Sequence, residues 1–283
     1  MEVIYRKLIS SVLLLITTCV VYGQNEDSTV EADWNLLIQL QNQRVYDAGL
    51  TSESNLKQTF ESKGIIYPPR YIYWRAFKAE KELELWAKDS QSQSFTLIKT
   101  YPIANLCGDL GPKRKQGDHQ IPEGFYKVIK FNPLSSFWLS FQINYPNGSD
   151  SILGLKKNLG GDIFIHGDTV TIGCLPMTDS IIKEIYWITL LNKNQIDSNE
   201  IIPFHIFPIR LTNDNWQLLY KEYWGDQSKI TFWNSLQGVY NYFEDSYKLP
   251  EIMIDDKGFY KVIYPKKQQT NNELPHSGTG KSG

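Results

Sequence analysis

The chain has 283 residues and a formal net charge of −2, from 29 Lys and Arg against 31 Asp and Glu. So even a balance leaves no basic footprint for nucleic acid, and none is expected as a partner. Aromatic residues make up 13%, with 8 Trp and 17 Tyr, enough for a packed core and for exposed rings that touch a polymer.

The first segment pairs Arg6 and Lys7 with an apolar run from Leu8 to Val21 and a small-residue exit. This pattern reads as a secretory signal peptide over 1–23, cleaved between Gly23 and Gln24. An uncleaved anchor is the competing reading, but the run is shorter than the ~20 residues a span needs. Lipidation at Cys19 is a third, with Thr18 standing where a lipoprotein signal has Gly, Ala or Ser. The protein is therefore expected to be exported, to the periplasm or cell envelope.

Residues 28–63 carry Trp34, Leu37, Ile38, Val45, Leu56 and Phe60 near a helical period, which predicts an N-terminal helical segment over 24–64. From Tyr71 the period becomes two. Short strands are predicted through 71–77, 83–87, 95–101, 125–131, 138–143 and 162–166, with turns at Pro122-Glu123-Gly124 and Pro146-Asn147-Gly148. A helix over about 179–193 follows, with Thr178 as its N-cap, and then a strand at Phe204–Phe207. Phe232, Leu236, Val239, Tyr240 and Phe243 share one face of a late helix. Residues 251–255 and 259–263 read as a terminal hairpin, and 266–283 as a polar, disordered tail.

The stretch from Ile163 to Asp179 carries the chemistry. A strand delivers His166 and Gly167, and a loop brings Gly173 and Cys174 toward the start of a helix. Thiolate is the nucleophilic form of cysteine, and both an imidazole and a helix N-terminus favour it. Gly173 allows a close backbone approach that turns amide groups toward an oxyanion. A buried cysteine near a core histidine is the bland alternative on these residues alone.

The wording is more specific. His-Gly-x3-Thr-x-Gly-Cys-Leu-x-Met over 166–177 resembles the signature of the L,D-transpeptidase catalytic domain, the YkuD type. The eight-residue step from His166 to Cys174 and the Met177-Thr178-Asp179 continuation resemble its YafK-like branch. Gly111-Pro112-Lys113 through Gly117-Asp118 to Pro122-Glu123-Gly124-Phe125-Tyr126 and Phe207-Pro208-Ile209-Arg210 resemble two further family segments. His119 departs from the pattern, since family members often carry Gly there. The resemblance covers about 65–213 and extends more weakly into the helical part beyond.

It implies a mostly β fold, an L,D-transpeptidase-type β-sheet sandwich with an inserted helix and helical N- and C-terminal additions. The implied division is a catalytic domain over 65–213 and a C-terminal helical extension with its hairpin over 214–265. It also implies acyl transfer on peptidoglycan stem peptides, with Cys174 as nucleophile and His166 as base. An envelope protein amine is a possible acceptor, no cofactor or metal is needed, and the oligomeric state stays open. A hydrolase on the same site is the first alternative, either an L,D-carboxypeptidase or an amidase releasing an attached protein. A non-catalytic wall-binding module is the second. Gly173 is assigned to the oxyanion loop. Thr171 either orients His166 or is an ordinary loop residue. Arg210 and Arg114 are weaker candidates for substrate carboxylates, each with a plain structural alternative, and a solvated basic turn is the better reading of Lys113 and Arg114. His205 reads as structural and Cys107 as a bystander.

Overall fold

A computed structural model describes residues 35–90 and 94–264. The leader, Cys19, Trp34 and the tail from 266 lie outside the described residues.

Two helices open the described chain, α1 (Leu36–Gln39) and α2 (Gln43–Ser62). The sequence predicts one helical stretch here. Asn42 divides it, because its side chain caps the Arg44 N–H and starts a new helix. Strands β1 (Tyr71–Phe77), β2 (Glu82–Lys88) and β3 (Thr96–Pro102) form a meander, followed by β4 (Gly124–Asn132) and β5 (Ser140–Ile143). A short helix α3 (Gly148–Leu153), unforeseen in the sequence, is closed by a capping box between Asn147 and Asp150. Then come β6 (Phe164–His166), β7 (Leu175–Pro176), α4 (Asp179–Lys193) and β8 (Pro203–Phe207). Helices α5 (Asn213–Tyr223) and α6 (Gln227–Ser246) and the hairpin β9 (Glu251–Ile254) with β10 (Tyr260–Ile263) complete it.

Eight strands make one mixed sheet in the order β3-β2-β1-β8-β4-β5-β6-β7. The pairs β1–β8 and β6–β7 are parallel, and the others are antiparallel. The fold is thus mostly strand with helical additions, as the sequence implies. On one face α2 and α4 bury Val45, Leu56, Phe60, Ile182, Ile185 and Tyr186 against Trp74, Phe204, Phe141 and Ile165. Over β1 and β8, α6 covers the other face, packing Trp233, Leu236 and Tyr240 on Phe77 and Phe207. That is why β1 is buried at both faces although its residues alternate.

The second face carries buried charge. Arg75, 2% exposed, pairs with Glu84 at 2.8 Å and with Glu244 of α6 at 2.5 Å. The Lys78 ammonium meets Glu123 at 2.9 Å and the carbonyls of Asp109, Gly111 and Ile121. Trp233 donates to the other Glu123 oxygen at 2.7 Å. Glu123 therefore ties the segment from Asp109 to Ile121, the end of β1 and α6 into one buried knot. Among the described residues no helix is long and apolar enough to cross a membrane.

Candidate active site

The helix α6 leaves the β5–β6–β7 end of the second face uncovered. Ile165 and Leu175, register partners on β6 and β7, point into the core. Alternation then turns Phe164, His166 and Cys174 to the opposite face. There they line a cavity of about 200 Å³ together with Asn132, Ser135, Ser136, Phe137 and Ser140. The sequence-predicted pair thus shares one cavity, brought together by strand pairing.

His166 is 2% exposed and its orientation is fixed. Nδ1 lies 2.5 Å from the Gly167 carbonyl oxygen. A carbonyl only accepts, so Nδ1 carries the proton and Nε2 keeps its lone pair when the ring is neutral. Phe137 packs on the imidazole with centroids 4.7 Å apart. Burial lowers the His166 pKa, against the opposing pull of the Gly167 carbonyl and Asp168. Gly167 itself is confined: a β-carbon there would lie 2.7 Å from the Phe137 carbonyl oxygen and 2.6 Å from Asp179 Oδ1. Only glycine follows His166 without displacing that wall.

Cys174 Sγ accepts from the Phe164 N–H at 3.4 Å and donates to the Asp162 carbonyl at 3.7 Å. Burial pushes the thiol above its usual range, although the Phe164 N–H and the Lys113 charge pull the other way. Both shifts favour the uncharged thiol and imidazole over a resting thiolate–imidazolium pair. Iodoacetamide labelling of Cys174 should therefore climb steadily with pH through the alkaline range and show no low-pH plateau. A plateau near pH 6 in the labelling rate would overturn this, because it reports a preformed ion pair.

The helix expected behind the cysteine is elsewhere. α4 begins at Asp179, with β7 between it and Cys174, so its N-terminus does not serve the thiol. Thr178 is the N-cap by position but makes no capping bond; it sits at φ 66° while Asp179 Oδ1 takes the Asp168 N–H. Thr171 donates to the Cys174 carbonyl at 2.7 Å and accepts the Gly173 N–H at 3.1 Å. Its hydroxyl braces the cysteine loop, and the Gly167 carbonyl is what orients His166. The Gly173 N–H is likewise engaged within the loop. What glycine supplies at 173 is φ +143° and room, since a β-carbon would sit 3.1 Å from the Gln120 carbonyl oxygen.

The two arginines stand apart from the cavity. Arg210 pairs with Glu82 at 2.5 Å and Glu84 at 2.8 Å and lies over the Phe77 ring, so its charge is committed to the fold. Arg114 faces Asp150 at 3.6 Å and the ring of Phe232. Lys113, expected in a solvated turn, is instead buried, held by Asp118 at 2.7 Å and by the Lys115 carbonyl. Asp118 also takes the N–H groups of Arg114, Lys115 and Gln120, which makes it the knot of that turn. His119 sits at φ +56°, a left-handed position that glycine adopts without strain. Cys107 and Cys174 are both free thiols.

His205 lies under α6, with Nδ1 2.9 Å from the Tyr73 hydroxyl and rings of Phe125 and Phe207 around it. Burial, with the Arg75 charge adding to it, lowers its pKa to about 3. The native state refuses a proton that the unfolded chain accepts below pH ~6.5. Its stabilising contribution is full above that pH and falls as pH drops toward 3, by up to ~1.4 kcal/mol per pH unit. Between pH 7 and 5 the wild type should lose about 2 kcal/mol relative to His205→Phe in urea denaturation. Parallel curves would count against it.

Phe137, Ser140 and Asn132 line the cavity without having been singled out from the sequence. The only sequence signal was local: Leu139, Phe141 and Ile143 are apolar, which puts Ser140 on the face away from the core. That this face meets His166 follows from the β5–β6 register, which no local pattern contains. Among the described residues no group of three His, Cys, Asp or Glu side chains is placed to hold a metal.

The fold and cavity define a β-rich protein with an oriented, unprotonated imidazole nitrogen at the end of β6 and a thiol on the loop that enters β7 beside it. No family model matches the chain. It is 33% identical over 196 residues to the protein named "Putative L,D-transpeptidase YafK" in Escherichia coli (strain K12), covering 69% of this chain and 74% of that one. The same figures hold for its counterpart in Escherichia coli O157:H7. A solved structure, that of the helical cell shape determining protein Pgp2 from Campylobacter jejuni, is similar over 66% of this chain and 73% of that one, with 16% identity and a TM-score of 0.40. The chain belongs to the L,D-transpeptidase family, in its YafK-like branch.

Proposed function

We propose that this protein modifies peptidoglycan as an L,D-transpeptidase, through a thioester on Cys174, with residues 65–213 as its catalytic domain. The observation that carries the reading is the shared cavity, in which Nδ1 of His166 is tied to Gly167 and Nε2 is left as the base. The Cys174 proton passes to Nε2 as sulfur attacks the carbonyl at the L-centre of the stem peptide's third residue. The C–N bond breaks, and the departing amine takes the proton from the imidazolium. A second amine then attacks the thioester, forming the new amide and returning the thiol. Thr171 and Gly173 hold the loop that presents the cysteine. Peptidoglycan lies outside the cytoplasmic membrane, which agrees with the leader read at 1–23.

One observation favours the amidase form of the hydrolytic reading, release of an attached protein, at the same site. The cavity lining contains no Lys or Arg. Arg114 faces Asp150, and Arg210 is engaged by Glu82 and Glu84. A leaving D-alanine carries a free carboxylate that such a wall leaves unpaired, whereas the amide to an attached protein carries none beside the scissile bond. Purified protein incubated with tetrapeptide muropeptides, with and without an acceptor amine, and with a peptide-linked muropeptide, separates the two by product mass. A cross-linked product supports transfer, and a released peptide or a stem shortened by one residue to a tripeptide supports hydrolysis. No product from any of the three sinks both.

A further inference from the structure

We propose that Ser140 positions the amine or water that resolves the acyl-enzyme. The inference rests on the reading above and extends it to a residue the signature motifs do not contain. Ser140 on β5 is the register partner of His166 on β6. Directly opposed residues of an antiparallel pair point to the same face, with β-carbons about 5 Å apart. Both side chains are 2% exposed, and both line the cavity that contains Cys174. Every other polar group on the imidazole is settled: Nδ1 is held by the Gly167 carbonyl and one ring face by Phe137.

The Ser140 hydroxyl has no protein partner among the described residues and is not sealed away from the cavity. It contrasts with Ser135, also in the lining, whose hydroxyl accepts the Phe137 N–H at 3.1 Å. A buried hydroxyl without a partner is costly unless something in the cavity meets it. The thioester's nucleophile has the right complement of hydrogens. An amine or water placed between the two strands gives one hydrogen to Nε2 and a second to the Ser140 oxygen. Its lone pair is then held toward the carbonyl on Cys174.

In the step itself the proton on the first hydrogen passes to Nε2 while the new C–N or C–O bond forms and the C–S bond breaks. The imidazolium then returns that proton to sulfur. Ser140 keeps its own proton throughout. It orients the nucleophile and does not activate the thiol.

That division gives the test. The full-length wild type, Ser140→Ala and Ser140→Thr are compared in two assays: turnover of the muropeptide accepted by the wild type, and iodoacetamide labelling of Cys174 across pH. Labelling needs the thiol but no second nucleophile. Ser140→Ala should lower kcat about 10–100-fold, the scale of one misplaced reacting group. KM should fall in parallel with kcat, because acylation and hence kcat/KM are untouched, and the labelling profile should stay within about twofold of wild type. Ser140→Thr, which keeps the hydroxyl on a strand-favouring residue, should recover most of kcat. Three results overturn the inference: Ser140→Ala turning over like wild type, a labelling loss as large as the turnover loss, or Ser140→Thr as slow as Ser140→Ala. A wild type that yields no product from any muropeptide instead removes the functional reading on which it rests.

Discussion

Cys174→Ala is expected to abolish turnover while leaving the folded structure in place. The thiol shares its cavity with an oriented imidazole, so its removal should cost on the order of a millionfold in kcat, as loss of a covalent nucleophile does elsewhere. Its structural role is small. The sulfur makes one long contact to the Phe164 N–H and one to the Asp162 carbonyl, and the residue is only partly buried. The loop it sits on is held by Thr171 and by the fit of Gly173 against Gln120, which the substitution does not touch. Thermal unfolding should therefore shift by no more than a surface substitution does, about 0.5 kcal/mol. Cys107→Ala supplies the control and should keep near wild-type activity. If Cys107→Ala were the inactive variant, the thiol would be misassigned, and the shared cavity with His166 would have no catalytic meaning.

The two chemical residues were legible because their spacing is local. Cys174 follows His166 by eight positions, and the Gly residues beside them mark two places where a β-carbon would strike the wall. The same locality explains the good reading of β1 to β4 and of α4, whose periods are long enough to define a face. What the sequence left open lay where a distant element decides. For Arg210 and Arg114 a substrate contact and a plain structural place both stand open in the sequence, because the partners Glu82, Glu84 and Asp150 lie tens of residues away. The helix after Cys174 appeared adjacent because β7 is two residues long, too short to leave a period. For Thr171 a role on His166 and an ordinary loop place stand equally open in the sequence, and the loop turns its hydroxyl onto its own backbone. Ser140 and Phe137 became visible only once β5 was set in register against β6.

Glu123→Ala is expected to cost about 3–5 kcal/mol of stability, the usual price of stranding one member of a buried ion pair. Glu123 is fully buried and Lys78 is 2% exposed, so neither charge has water to fall back on. The carboxylate also takes the Gly111 N–H and the Trp233 indole N–H, both at 2.7 Å, and these donors lose their partner as well. Replacing both partners of a buried pair with apolar residues is often nearly neutral. Here the double substitution Lys78→Met with Glu123→Leu should not recover the loss. The Lys78 ammonium also satisfies the carbonyls of Asp109, Gly111 and Ile121, and an apolar pair leaves all three without a donor. The damage should reach the cavity, because the same segment supplies Gln120, whose backbone abuts Gly173 beside the cysteine. Urea denaturation of wild type, Glu123→Ala and the double variant measures the first effect, and labelling of Cys174 under native conditions measures the second. A double variant as stable as wild type would show that the ammonium's carbonyl contacts contribute nothing, and that the pair does no more than neutralise itself.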